Sequence, residues 1–310
     1  MPHSLRCAAA PMRRWRRARA CAIALVAALG LSTAAAAQAP TAAGAKSFLW
    51  RVQSDSSLLY LAGSVHALPA GVYPLSPAFE RAFESAGTLV EEIDLAAGDL
   101  LSIAPMILTK GMYLDGRTFD SAVSKETLSL VLEHVSDPAL RQLIRGMKPW
   151  MVMLTLTAMQ VQQAGLDVNL GLDKYFFDKA TAAGKTIVGL ETAESQIDRF
   201  DRMPEALQEQ LLRSALEDID TQPGDLDAIV AAWQRGDAAA LEETLLGGFK
   251  QYPAAYQSLI VERNRNWMPQ LEACLAGTTR CLVVVGAAHL VGPDGLLALL
   301  QKRGYRVEQQ

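Results

Sequence analysis

The sequence predicts an α/β fold: a largely parallel central sheet flanked by helices, with a helical insertion or cap. Three observations predict it. Short apolar runs alternate with stretches of helical spacing, as strand–helix–strand units require. Four of those runs lead straight into an ionisable side chain, the pattern expected where parallel strands open onto a ligand crevice. Two long stretches, about 95–183 and 204–272, carry helical spacing and supply far more helix than the sheet's connections need.

The first 37 residues stand apart. Arg13, Arg14, Arg16, Arg17 and Arg19 form a basic start, and Ala20–Leu31 is an apolar stretch too short to span a bilayer. Ala35-Ala36-Ala37 before Gln38 has the small-x-small form of a cleavage site. Residues 1–37 therefore read as a cleaved signal peptide, and the mature protein as periplasmic or secreted. Residues 38–47 read as a flexible tail, and 48–310 as a single α/β domain.

Removing the leader's six arginines leaves 23 basic against 33 acidic residues, a net charge of −10. That balance argues against a nucleic-acid partner, which requires a basic face. The apolar segment Trp150–Met159 is bracketed by Lys148 and Gln160, and reads as a buried helix rather than a membrane span. Cys274 and Cys281 are the cysteines that outlast cleavage, and two thiols in an oxidising compartment are expected to pair.

The elements follow in order. Ser47–Val52 and Leu58–Ala62 read as two strands around the turn Ser54-Asp55-Ser56-Ser57, the second leading into Gly63-Ser64-Val65-His66. Pro77–Ala86 is helical, with Phe79, Ala82 and Phe83 on one face. Thr88–Ile93 is a strand that meets Glu91, Glu92 and Asp94. Helices are expected at Lys125–Glu133, Pro138–Met147 and Asp173–Ala183, the last ended by Gly184. Lys185–Leu190 is a strand leading to Glu191, and Pro204–Glu272 is again helical. Cys281–Val285, the most apolar strand, leads into Gly286-Ala287-Ala288-His289. A helix at Leu296–Arg303 and a strand at Tyr305–Glu308 close the chain.

His66 and His289 share a context: each ends a Gly-x-x-His directly after an apolar strand. Glycine lets the chain turn sharply there and leaves room for a ligand. If the strands are parallel, His66, the Glu91–Glu92 pair, Glu191 and His289 converge on one crevice. Two imidazoles and a carboxylate could hold a divalent metal such as Mn, Co or Zn, which would acidify a bound water. A metal-free alternative pairs one histidine with a glutamate as acid and base. Blander readings stand beside these. Glu91 and Glu92 also fit a strand end meeting water, and Glu191 a solvated turn. Arg263, among Glu262, Asn264 and Arg265, fits a surface charge by pattern alone. His134 reads as a solvated helix face, and Trp150 and Trp267 as packing.

These segments resemble the TraB/PrgY/GumN family, most closely its GumN-like bacterial branch. Leu61–Pro69, Val90–Asp94, Gly171-Leu172-Asp173, Gly189–Thr192 with Gln196, Glu262–Trp267 and Val285–Gly292 match its motifs in order from about 48 to 308. The resemblance implies an EreA/ChaN-like fold, in a group that includes metal-dependent proteases, erythromycin esterases and a haem-binding lipoprotein. It places Glu92, rather than Glu91, as the family acid. It also makes Arg263 a basic group that could stabilise an oxyanion.

The leading expectation is a metal-dependent, peptidase-like hydrolase. His66, His289 and Glu92 would hold the metal, with Glu92, Glu191 and Arg263 as catalytic groups and a peptide or small molecule as substrate. The rivals are a non-catalytic envelope protein that binds a peptide or haem, and an accessory factor in polysaccharide production.

Overall fold

A computed structural model describes residues 46–94, 97–221 and 224–310. The expected signal peptide and most of the expected tail lie outside the described residues. The sheet has six strands in the order β4-β3-β5-β2-β1-β6. They are β1 (Leu49–Gln53), β2 (Leu58–Ser64), β3 (Thr88–Glu91), β4 (Thr186–Gly189), β5 (Cys281–Gly286) and β6 (Arg306–Gln309). β2, β5, β3 and β4 run parallel, while β1 pairs antiparallel with both β2 and β6. The β1–β2 pair is the expected hairpin, closed by Ser54 N–H donating to Ser57 O at 3.0 Å.

The register decides where the site forms. Ser64 lies opposite Gly286, while Glu91 lies opposite Val284 on one side and Gly189 on the other. The four parallel strands therefore end at nearly the same level, and the residues just beyond them share one edge. β5 sits at the centre with all six residues buried. Each large apolar side chain so withdrawn from water contributes roughly 1.5–3 kcal/mol, so the central strand anchors the site's floor.

Helices cover the sheet. α1 (Pro77–Ser85) buries Phe79, Ala82 and Phe83 as its spacing predicts. The first helical stretch holds α2 (Ala97–Gly111), α3 (Phe119–Ala122), α4 (Lys125–His134), α5 (Pro138–Ile144), α6 (Pro149–Gln163) and α7 (Leu172–Ala182). In α6, Trp150, Val152, Met153 and Leu156 are buried, so the apolar segment is a core helix. α8 (Ala193–Asp201) follows β4, and Trp150 stacks on its Phe200 at 6.0 Å. The second stretch holds α9 (Glu205–Thr221), on which α6 packs, α10 (Asp225–Gln234), α11 (Ala238–Leu246), α12 (Pro253–Tyr256) and α13 (Glu262–Ala276). α14 (Leu296–Lys302) precedes β6, and Gly304 takes φ +89° at its end, a left-handed turn that favours glycine. A disulfide joins Cys274 in α13 to Cys281 at the start of β5. Among the described residues, no helix is long and apolar enough to cross a membrane.

Candidate active site

His66 is held by a clamp assembled from distant parts of the chain. Trp233 in α10 donates from Nε1 to Gly63 O at 2.6 Å, fixing the end of β2. Beyond it, Leu68 and Asp167 exchange both backbone hydrogen bonds, and Leu172 N–H donates to Val65 O at 3.2 Å. A Cβ on Gly171 would stand 2.4 Å from His66 O, so glycine is what lets the start of α7 press against this turn. The result is Asp173 beside His66, with Oδ2 3.2 Å from Nδ1. Ser64 Oγ donates to Asp173 Oδ1 at 2.7 Å, so the carboxylate is fixed on both oxygens.

The position of Asp173 in the first turn of α7 also places it at the positive end of the helix dipole. Burial disfavours its ionised form, but His66 and Ser64 outweigh that and hold the carboxyl below its usual range. His66 shows the reciprocal effect. Burial opposes its charge, but the charge and hydrogen bond of Asp173, helped by Glu92, raise it from 6.5 to about 9. His66 is thus an imidazolium at neutral pH.

Glu92 anchors a second, deeper network. Its Oε1 accepts Gly286 N–H at 2.7 Å, and its Oε2 accepts from Gln196 Nε2 at 2.9 Å and from Arg263 Nη2. Arg263 donates from Nε to Glu191 Oε1 at 2.8 Å, and its Nη2 lies 2.6 Å from the same oxygen. Its Nη1 donates to Leu259 O at 3.2 Å and meets His289 Nε2 at 2.9 Å. All three guanidinium nitrogens have partners here, through four hydrogen bonds and the close Glu191 contact. Burial disfavours the Glu92 carboxylate, but Arg263, the two histidines and Gly286 N–H hold it down at about 2.

The tautomer of His289 follows from Asn264. The Asn264 amide nitrogen donates to His289 O at 3.1 Å and to Asp294 O at 2.8 Å, so its oxygen must face the ring. That oxygen lies 2.7 Å from His289 Nδ1, which therefore carries the proton, leaving Nε2 as acceptor for Arg263. Burial and the adjacent Arg263 charge push the His289 pKa down to about 3. Trp267 covers the ring, with centroids 4.5 Å apart.

The two networks meet at Gly286. A Cβ there would stand 3.2 Å from both His66 Nε2 and Glu92 Oε1, and 3.6 Å from His289 Cδ2. The two histidines, Glu92, Glu191 and Arg263 are thus brought into one cluster by the parallel strand ends and α13. Of the atoms that could do chemistry, His66 Nε2 and Glu191 Oε2 make no hydrogen bond among the described residues. His66 and Asp173 are also the more open residues, with side chains 16% and 18% exposed.

Several readings of the sequence need correction. Arg263 is 3% exposed, not a surface charge, because it lies on the α13 face that also buries Trp267 and Leu271. Its Nε, Nη1 and Nη2 meet Glu191, Leu259 O, His289 and Glu92. Glu91 does not meet water at the strand end. It is 2% exposed, neither oxygen has a hydrogen-bond partner among the described residues, and burial, followed by the charge of Asp173, pushes its pKa well up. His134 is partly buried, 3.4 Å from Asp220. Residues with no assigned role in the sequence reading now have one: Asp173, Ser64, Asn264 and Gln196. All four fall inside segments that resemble family motifs, which was the available signal.

A divalent ion on His66, His289 and Glu92 does not fit these side chains as they stand. His289 has given Nδ1 to Asn264 and Nε2 to Arg263, and both Glu92 oxygens already accept hydrogen bonds. Among the described residues, no group of three histidine, cysteine or acidic side chains is placed to hold a metal.

The fold and cluster define an α/β protein whose parallel strands present a histidine–carboxylate–arginine centre at their carboxyl ends. Residues 48–309 match the TraB/PrgY/gumN family, and the chain belongs to it. It is similar to the uncharacterised protein YbaP of Escherichia coli (strain K12), at 27% identity over 244 residues, covering 78% of this chain and 87% of YbaP. The YbaP of Shigella flexneri matches to the same extent. No solved structure matches the chain.

Proposed function

We propose that this protein is an exported hydrolase acting on a peptide or related carbonyl bond by acid/base chemistry. The observation that carries this reading is the His66–Asp173 pair: Asp173 holds Nδ1 at 3.2 Å, while Nε2 makes no hydrogen bond among the described residues and the side chain is 16% exposed. An imidazole so oriented, and charged at neutral pH, delivers a proton to a leaving group. The Glu191 carboxylate, with Oε2 uncommitted, is the complementary base for a water molecule. The Glu92–Arg263–His289 network holds the field and the geometry around them. Export is supported by the leader pattern and by the Cys274–Cys281 disulfide, since disulfides persist in oxidising compartments.

The test is a panel of peptide and ester substrates presented to the mature chain, with His66→Gln, Asp173→Asn and Glu191→Gln alongside. Each substitution is expected to lower kcat/KM by about 10²–10⁴-fold, and a chelator to leave activity unchanged. Undiminished activity in His66→Gln would sink the reading, and so would its complete loss to chelator.

A ligand-binding role is the second reading, favoured by the same Nε2, which ligates haem iron once it gives up its proton while Nδ1 stays beside Asp173. Haem titration giving a Soret band that disappears in His66→Gln, with no turnover of the panel, would establish it.

A further inference from the structure

We propose that the Arg263 guanidinium is the built-in cation of this centre, filling the donor positions that the histidines and carboxylates would otherwise offer to a divalent metal ion. The inference concerns metal binding alone and holds whether or not the site turns over a substrate.

The geometry assigns the role. Arg263 is 3% exposed and lies on three donors of types that ligate divalent ions: His289 Nε2 at 2.9 Å, Glu191 Oε1 at 2.6 Å, and Glu92 Oε2. Imidazole and carboxylate of this kind are the ligands that Zn, Mn and Co select. The surrounding support is also what a metal centre uses. Asn264 fixes the His289 ring through Nδ1, and Gln196 and Gly286 N–H orient the Glu92 carboxylate. What differs is the occupant, a covalently tethered monocation with a fixed donor fork.

Tethering has a physical consequence. The guanidinium is held by α13, which the Cys274–Cys281 disulfide joins to β5, so its local concentration at the donors is set by the fold rather than by metal supply. A metal ion entering from solvent would have to displace it, and the freed guanidinium would then remain buried beside a dication. Like charges at that separation repel strongly in a medium of low dielectric. The intact centre therefore rejects a divalent ion, although its donors are of the types that bind one. Removing the guanidinium while keeping the donors exposes a carboxylate–carboxylate–imidazole set.

The probe is Co(II) added to the mature chain. Binding is read by visible absorption and by elemental analysis after dialysis, in wild type, Arg263→Ala and Arg263→Ala/His289→Gln. Wild type is expected to retain no stoichiometric cobalt. Arg263→Ala is expected to bind about one ion at least ~100-fold more tightly, through donors of matching type, and the double variant to lose that binding. Stoichiometric cobalt in wild type, lost in His289→Gln, overturns the proposal. So does a folded Arg263→Ala, judged by circular dichroism, that binds no better than wild type. Should Arg263→Ala not fold, Arg263→Met takes its place under the same criteria, and the wild-type arm still decides whether the intact centre takes a metal.

Discussion

Arg263 Nη1 stands 2.9 Å from His289 Nε2 while Asn264 Oδ1 stands 2.7 Å from Nδ1, so His289 is held on both nitrogens in one tautomer. A buried imidazole between a cation and an amide oxygen has nowhere to place a second proton. Ring ¹⁵N shifts of His289 are accordingly expected to stay at the neutral Nδ1–H values from about pH 8 down to about pH 5. A titration near the ordinary value of 6.5 would contradict this arrangement.

His66 is expected to behave in the opposite way. With its pKa raised to about 9 by Asp173, its ring should remain charged through neutral pH and lose its proton only in alkali. In Asp173→Asn the burial penalty remains and its main opponent is gone, so the pKa is expected to fall to 6.5 or below. Proton NMR of the ring measures both values, and an unchanged midpoint in the variant would show that Asp173 is not the cause.

Stability should fall on acidification, and the sign follows from two depressed groups. His289 has a pKa of about 3 in the folded protein against 6.5 in the unfolded chain, so the unfolded state takes up the proton first and stability drops as pH falls below 6.5. Glu92, at about 2 against 4.5, adds a further loss below 4.5. His66 acts at the other end: its raised pKa gives stability that is full below 6.5 and lost as pH rises through about 9. In a Glu91→Met background, where the opposing Glu91 contribution is absent, urea midpoints across the pH range should therefore peak near neutrality. In His289→Gln the decline between 6.5 and 4.5 should flatten.

Glu91 should be a net cost at neutral pH. Its pKa is raised by burial first, and then by Asp173, Asp94, Glu92 and Asp178, so the folded state retains a proton that the unfolded chain releases above 4.5. Stability from this group thus falls as pH rises through 4.5 and beyond. Glu91→Met removes the unpartnered carboxyl at similar volume and is expected to stabilise the fold by about 1–3 kcal/mol at neutral pH, with a smaller gain near pH 4.5. A destabilised Glu91→Met would mean that the carboxyl has a partner it needs.

Much of this site was legible before the fold was seen. The paired Gly-x-x-His motifs marked the ends of two strands, and the apolar runs before Glu91-Glu92 and Glu191 marked two more. Parallel pairing then brought them to one edge. α13 also held a readable signal. Trp267, Leu271 and Leu275 lie four residues apart, and extending the spacing back reaches Arg263, which places it on the buried face.

The sequence by itself determined the strand–helix alternation, the apolar central strand, the glycines at the strand ends and the stock of ionisable residues, because these depend on local periodicity and conformational preference. The tertiary structure alone decided which of those residues meet. Asp173 reaches His66 from 107 positions away in sequence through the Leu68–Asp167 clamp. Glu91 is the last residue of β3 and Glu92 the first beyond it, and the two adjacent side chains meet different surroundings. Glu92 faces Arg263, which favours its ionised form; Glu91 has no partner among the described residues, and burial raises its pKa. Charge state is set by surroundings in space, and the linear chain does not specify those until it has folded.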